Sequence, residues 1–283
     1  MKSPIFIIGA GRSGTNILRD CLTATNHFIT WPCDEINLIF RHGNVQFPHD
    51  EFGVEQAKPK VINYIRKQFA KQSSPSTITL EKTCANSLRI PFLLKVFPDA
   101  RFIFLVRNGY DVVSSAKKRW TASPELDYLF QKLKYVPKTD IPIYLLKFLK
   151  NRYEQIRSKE GRMGLWGPVY AQMKADVQTE SLETICAKQW AACVKKPHED
   201  LLKAKADFIA VTYEHFTKHP EKILNAILEW SDNSINNAEL ERITSRVNYR
   251  PSAKPSAKRI STIIDPIMSL NYEKIRKDCE TLI

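Results

Sequence analysis

Pro4-Ile5-Phe6-Ile7-Ile8-Gly9-Ala10-Gly11-Arg12-Ser13-Gly14-Thr15-Asn16 decides the fold. A continuous apolar run ends in a glycine-rich turn, and a helical pattern follows through Ile17, Leu18, Cys21 and Leu22. Glycines let a turn expose its backbone N–H groups, and a helix start adds partial positive charge. The segment therefore predicts a buried strand, a phosphate-binding loop and a helix. Ala100–Arg107, announced by Phe97-Pro98-Asp99, predicts a second buried strand. It enters the turn Asn108-Gly109-Tyr110-Asp111 and a helix over Val112–Trp120. Asp207–Glu214 followed by a helix over Pro220–Trp230 predicts a third such unit, and Thr77–Leu80 a weaker strand ending at Glu81-Lys82. Short strands separated by helices imply an α/β fold with a mainly parallel central sheet flanked by helices. Further amphipathic helices are predicted over Val54–Gln72, Asp140–Lys159 and Leu182–Lys205. With no internal repeat and no clean linker, residues 1–283 are expected to form one domain.

The loop has the Walker A glycine spacing from Gly9 to Gly14, but Thr15 stands where the phosphate-reaching lysine would follow. Its basic residue, Arg12, lies inside the turn. That counts against a P-loop kinase of a nucleotide or small molecule, though not against an anion-binding loop. A net charge of +13 favours polyanionic partners, including nucleotide phosphates, acidic polysaccharide or an anionic membrane face. A non-enzymatic polyanion binder is the other alternative. Nucleic acid is not expected, because no helix-turn-helix, zinc-finger or RNA-recognition signature is present. No apolar stretch is long enough to span a bilayer, and Gly9 and Arg12 interrupt the one run that resembles a signal core. If Met1 is the native start, a cytoplasmic protein is expected. The six cysteines are scattered without metal spacing, so they read as reduced and structural, Cys186 and Cys193 facing the core. No metal site is expected.

Together these elements resemble the sulfotransferases that use 3′-phosphoadenosine 5′-phosphosulfate (PAPS). Gly9–Asn16 resembles the family's 5′-phosphosulfate loop. Arg107–Ser115 resembles its 3′-phosphate segment, in which an Arg and a Ser eight residues on hold that phosphate. Tyr213-Glu214-His215-Phe216, with Pro220 shortly after, is similar to a segment following a later strand. The layout is nearer to the tyrosylprotein and bacterial or carbohydrate-type enzymes than to the cytosolic enzymes of small phenols. The latter typically carry Lys at the place of Arg12 and depend on a His with no counterpart here. By resemblance, Cys33-Asp34-Glu35 occupies the place of the acidic segment that supplies the base, and Glu81-Lys82-Thr83 that of a catalytic Lys. The match to the family's C-terminal loop is loose, around Ser256, Lys258 and Arg259.

The resemblance implies sulfuryl transfer from PAPS to a hydroxyl acceptor, with the charge excess suggesting a carbohydrate or another anionic biomolecule. Such a transfer relies on positioning and electrostatics, as phosphoryl transfer does. Arg12 and Lys82 are expected at the bridging oxygen. Gly11, Ser13, Gly14, Thr15 and Asn16 are expected at the 5′-phosphate, Arg107 and Ser115 at the 3′-phosphate, and Lys258 and Arg259 in a basic loop over the donor. Glu35 is the first choice of base and Asp34 the second, the other serving to cap a helix beginning near Ile36. Rival readings make Arg107 the ion-pair partner of Asp111, Glu35 a solvated helix-start acid, Lys82 a surface lysine and Ser115 a neutral helix position. Gly161–Gln172, rich in aromatics and glycine, reads as a substrate wall or a cover for the core. Trp120, Trp166 and Trp190 read as core.

Overall fold

The run Ile5–Ile8 is strand β1, and it lies at the centre of a five-stranded sheet in which every described pairing is parallel. The computed structural model describes residues 2–122, 134–157, 164–248 and 258–280, without the side chains of residues 155, 157, 258 and 259. The other strands are β2 (Phe28–Ile29), β3 (Ile78–Lys82), β4 (Arg101–Val106) and β5 (Phe208–Thr212), in the order β2-β3-β1-β4-β5. A strand covered on both faces reads as continuously apolar, because successive side chains point to opposite sides. Phe6 and Ile8 join Phe102, Phe104 and Val106 in one core. Ile5 and Ile7 join Ile103, Leu105, Ile209 and Val211 in the other.

In chain order the helices are α1 (Thr15–Thr23), α2 (Asn37–Arg41), α3 (Pro59–Gln72), α4 (Ile90–Val96), α5 (Gly109–Trp120) and α6 (Ile141–Arg157). They continue as α7 (Met173–Thr179), α8 (Leu182–Ala204), α9 (Tyr213–Lys218), α10 (Pro220–Trp230), α11 (Asn237–Thr244), α12 (Lys258–Ile267) and α13 (Glu273–Glu280). A π-turn, Met268–Tyr272, joins the last two. No described helix is long and apolar enough to cross a membrane.

The expected strands are all present, and β2 is an addition. The helix predicted over Val54–Gln72 is two elements. Val54–Gln56 is a separate single turn, and Lys58 is extended at φ −66° and ψ 152° because Pro59 follows it. Pro59 then starts α3, where its missing N–H costs nothing. The predicted helix at Leu182–Lys205 is α8, which ends at Ala204, and that at Asp140–Lys159 is α6, which begins at Ile141 and is described as far as Arg157. All six cysteines are buried, and none is in a disulfide.

Candidate active site

The C-terminal ends of β1, β3, β4 and β5 open onto a cavity of about 690 Å³, where open α/β sheets place their ligands. Its floor is the loop after β1. Gly14 sits at φ 90°, and a Cβ there would lie 2.4 Å from the Tyr213 ring, so only glycine fits. Arg12 also has positive φ, 76°, an uncommon conformation for a side-chain-bearing residue and one that concentrates at functional sites. Helix α1 begins at Thr15, so its first N–H groups face the cavity without acceptors from their own helix. Gly11, Arg12, Gly14, Thr15 and Asn16 line the cavity. Ser13 does not. It is buried, its hydroxyl is without a hydrogen-bond partner, and its N–H donates to Ala10 O at 3.1 Å, closing the turn.

The second motif meets the first. Arg12 Nε donates to Ser115 Oγ at 3.0 Å, and Arg107 donates to Arg12 O at 3.3 Å. The Arg107 guanidinium stacks 4.3 Å over Tyr213 and lies 3.6 Å from Asp111. The ion pair with Asp111 is thus real, and it aims Arg107 at the cavity instead of removing it. The turn beneath is held from behind. Trp190 Nε1 donates to Arg107 O at 3.0 Å, and Asn108 N donates to Glu214 Oε1 at 3.0 Å. Tyr272 donates to the other Glu214 oxygen at 2.8 Å. Burial lowers the Arg12 guanidinium from its ordinary value, helped by the like charges of Arg119 and Arg107. Three clustered guanidiniums at a turn of exposed amides make a ready anion site.

Across the cavity, Lys82 ends β3 with its side chain almost fully buried and Nζ 3.3 Å from Glu35 Oε1. The same oxygen accepts from Cys84 N at 3.2 Å, and Cys84 Sγ lies 3.8 Å from Thr15 Oγ1. Burial works to lower Lys82, but attraction to Glu35, with Cys84 and Asp34, outweighs it and raises it, so the ammonium stays charged. Glu35 is therefore no solvated helix-start acid and Lys82 no surface lysine. Asp34 also lines the cavity, but it pairs with Arg19 at 3.2 Å. Its expected capping role fails. The cap of α2 is Ile36, without a side-chain bond, since Asp34 is turned toward α1.

What fixes this acidic loop is a buried network. Ile36 N donates to Thr83 Oγ1 at 3.1 Å, and Thr83 donates to Glu81 Oε1 at 2.5 Å. Asn86 donates to Glu81 Oε2 at 2.5 Å and accepts from Arg89 Nε at 2.7 Å. Arg89 returns to Asn37 Oδ1 at 2.7 Å. Glu81 thereby grips the two residues that follow Glu35, Ile36 and Asn37. Burial pushes Glu81 up to about 7 despite its bond from Thr83 and the charges of Arg89 and Lys82.

One wall comes from the segment Gly161–Gln172. Trp166, expected in the core, lines the cavity with Gly167 and Pro168. Its carbonyl and that of Pro168 each accept from Gln189 Nε2 at 2.8 Å, and Val169 N donates to Asp50 Oδ2 at 2.9 Å. Within the described residues, Gly161–Gln172 is thus both wall and cover. Tyr213, Arg119, Arg246 and Asn248 also line the cavity without having been assigned there. Tyr213 had a signal, the Tyr213-Glu214 segment at the end of β5, and Arg119 lies one turn beyond Ser115 on α5. Arg246 and Asn248 carried none. Lys258 and Arg259 begin α12, but their side chains lie outside the described residues, as does the rest of the basic loop from Tyr249 to Ala257. Among the described residues, no group of three His, Cys, Asp or Glu is placed to hold a metal ion.

Residues 4–135 match the model of the Sulfotransferase family. The structure is similar to the sulfotransferase domain from the curacin biosynthetic pathway (14% identity, TM-score 0.51, covering 100% of this chain and 92% of that one). It is also similar to sulfotransferase STF9 from Mycobacterium avium (14% identity, TM-score 0.52, covering 94% of this chain and 76% of that one). At such identity the likeness speaks for the fold alone. No curated protein matches the sequence.

Proposed function

We propose that the chain, whose residues 4–135 match the sulfotransferase family model, moves a sulfuryl group from PAPS to a hydroxyl acceptor in the cavity at the sheet's C-terminal edge. The observation that carries this reading is the convergence of two anion-binding turns with an acid–lysine pair. Arg12, Ser115 and Arg107 join on one side, and Glu35 and Lys82 face them across the loop. The residues suit the donor: the amides of a helix start, clustered guanidiniums and a charged buried lysine are all donors to phosphate and sulfate oxygens.

When bound, PAPS supplies the sulfuryl group and a phosphate that departs with the electron pair of the broken S–O bond. The chain's own residues do the rest. Glu35 takes the proton from the acceptor hydroxyl as its oxygen attacks sulfur. Its bonds from Lys82 Nζ and Cys84 N fix the carboxylate beside the loop. Lys82 and Arg12 stabilise the negative charge that builds on the departing phosphate oxygen, in a site where burial strengthens them. Gly11, Gly14, Thr15 and Asn16 hold the 5′-phosphate. Arg107 and Ser115 hold the 3′-phosphate and so select the donor over ATP. Lys258 and Arg259 are assigned to the donor by resemblance. Asp34 positions α1 through Arg19 and is not the base. Arg119 and Arg246 at the cavity, together with the net charge, favour an acceptor that carries anionic groups, such as an acidic carbohydrate.

The test is titration with adenosine 3′,5′-bisphosphate, with ADP as control, followed by an acceptor screen with PAPS. Binding that needs the 3′-phosphate, and turnover lost in Glu35→Gln with donor binding kept, is the expected pair of results. Equal binding of ADP would refute the donor reading, and full turnover of Glu35→Gln the base.

A further inference from the structure

Nine large hydrophobic side chains stand exposed among the described residues, and six of them lie on α6. They are Ile141, Leu145, Leu146, Leu149, Tyr153 and Ile156, with Leu146 68% and Ile156 84% exposed. Steps of one, three and four residues place them on one helical face. Scattered surface leucines need no explanation, but a continuous apolar stripe does. The opposite face of α6 is anchored. Asn151 exchanges two hydrogen bonds with Leu165, of 3.1 and 2.8 Å, and Lys147 Nζ donates to Val45 O. The helix is thus seated on the body with its apolar side outward, the reverse of a helix that serves the core.

The charges beside the stripe identify the occupant. Lys134 and Lys138 stand exposed just before the helix, and Lys150, 77% exposed, stands at the stripe's edge. Glu154, 3.9 Å from Lys150, is the acid of α6. A second copy of the chain, docking about a two-fold axis, would bring the same basic rim, whose acid on α6, Glu154, already lies 3.9 Å from its own Lys150. An anionic bilayer complements both features at once: headgroups meet the lysines and the acyl boundary receives the leucines. An amphipathic helix of this composition lies in the plane of the interface and does not span it.

We propose that α6 (Ile141–Arg157) is an interfacial anchor that docks the protein on an anionic lipid surface. The inference is independent of the sulfuryl-transfer reading, because the exposed face of α6 contributes none of the residues assigned above.

The full chain is sedimented with phosphatidylcholine vesicles, with and without phosphatidylserine. Binding is expected only to the anionic vesicles and should weaken as salt is raised. The double variant L146Q/L149Q keeps every charge and alters only exposed positions, so it retains the fold. It should bind anionic vesicles about tenfold or more weakly, because two leucines no longer leave water, while its titration with adenosine 3′,5′-bisphosphate stays at the wild-type value. A second variant, K138E/K150E, should lose binding with the leucines intact. Absence of binding to anionic vesicles overturns the proposal. Unchanged binding of L146Q/L149Q also overturns it, since general basic charge would then suffice. So would a dimer in light scattering that L146Q/L149Q splits, which would make a second copy the occupant.

Discussion

Arg107→Ala separates donor recognition from folding. The Arg107 guanidinium is 17% exposed, with Tyr213 4.3 Å beneath it, Asp111 at 3.6 Å and Arg12 O at 3.3 Å. Its Nη1 donates to Arg12 O and its Nη2 faces Asp111, and each carries a second N–H, so a phosphate placed here can gain further donors. A charge-assisted hydrogen bond contributes about 1.5–3 kcal/mol, and a guanidinium fork makes two that share one desolvation cost. Taking about 3 kcal/mol for the fork, loss of Arg107 should weaken adenosine 3′,5′-bisphosphate binding roughly a hundredfold. The cost to folding is smaller. A partly exposed stack and an ion pair together stabilise by about 1 kcal/mol, and α5 keeps its Asn108 cap. Calorimetric titration with adenosine 3′,5′-bisphosphate and with ADP, on wild type and variant, reads both effects. ADP lacks the 3′-phosphate, so its affinity should barely move. The Arg107→Lys variant should recover only part of the loss, since an ammonium keeps the charge without the fork. An unchanged bisphosphate affinity, or an equal fall for ADP, would refute the assignment of Arg107 to the 3′-phosphate.

Three further predictions rest on single contacts. Glu35→Gln should slow turnover at least a hundredfold with donor affinity within about twofold of wild type, measured by single-turnover kinetics and titration, since removing a general base costs about 10²–10⁴. Gly14→Ala forces a side chain onto φ 90° and into the Tyr213 ring, so it should cost roughly 2 kcal/mol of stability, read from thermal melts, and weaken donor binding as the loop shifts. Glu81 is raised to about 7 against an unfolded value near 4.5, so the folded state holds its proton more tightly. Its contribution to stability is then complete below the unfolded value and lost as pH rises through about 7, a change of up to about 3 kcal/mol. Glu81→Gln should flatten the dependence of melting temperature on pH between about 5 and 8. A variant that follows the wild-type slope would show that Glu81 does not titrate there.

The sheet was legible because both its faces are covered. Ile5–Ile8 and Phe102–Val106 alternate between two cores, so every residue is apolar and the strands stand out from their flanks. β2 was not legible, since two residues, Phe28 and Ile29, carry no period; β3 holds it in place by parallel pairing. The phosphate turns were legible because glycine and the strand ends constrain them locally. Arg12 and Ser115 were assigned to different phosphates, yet they lie in contact, because β1 and β4 are neighbours. Trp166 was misread for a reason of composition. A tryptophan buries most of its surface either way, and only the bonds of Gln189 and Asp50 to its loop decide that one face is left for the cavity.

Ser13 and Asp34 expose a different limit. A motif fixes where a loop runs, but not which of its side chains turn inward. The turn closes by Ser13 N donating to Ala10 O, which carries the Ser13 side chain to the protein side of the loop. Asp34 and Glu35 are adjacent, and the sequence leaves either free to be the base. The choice is made behind them, where Glu81, Thr83, Asn86 and Arg89 grip Ile36 and Asn37 and so orient the loop. With the loop held at those two points, Glu35 meets Lys82, and Asp34 falls to Arg19 on α1. Glu81 and Lys82 are themselves adjacent on β3, so alternate faces of one strand serve the two tasks. One side chain holds the loop from the core, and the other meets its carboxylate in the cavity. The same alternation that builds the two hydrophobic cores thus places the lysine of the site and its support on opposite sides of the sheet.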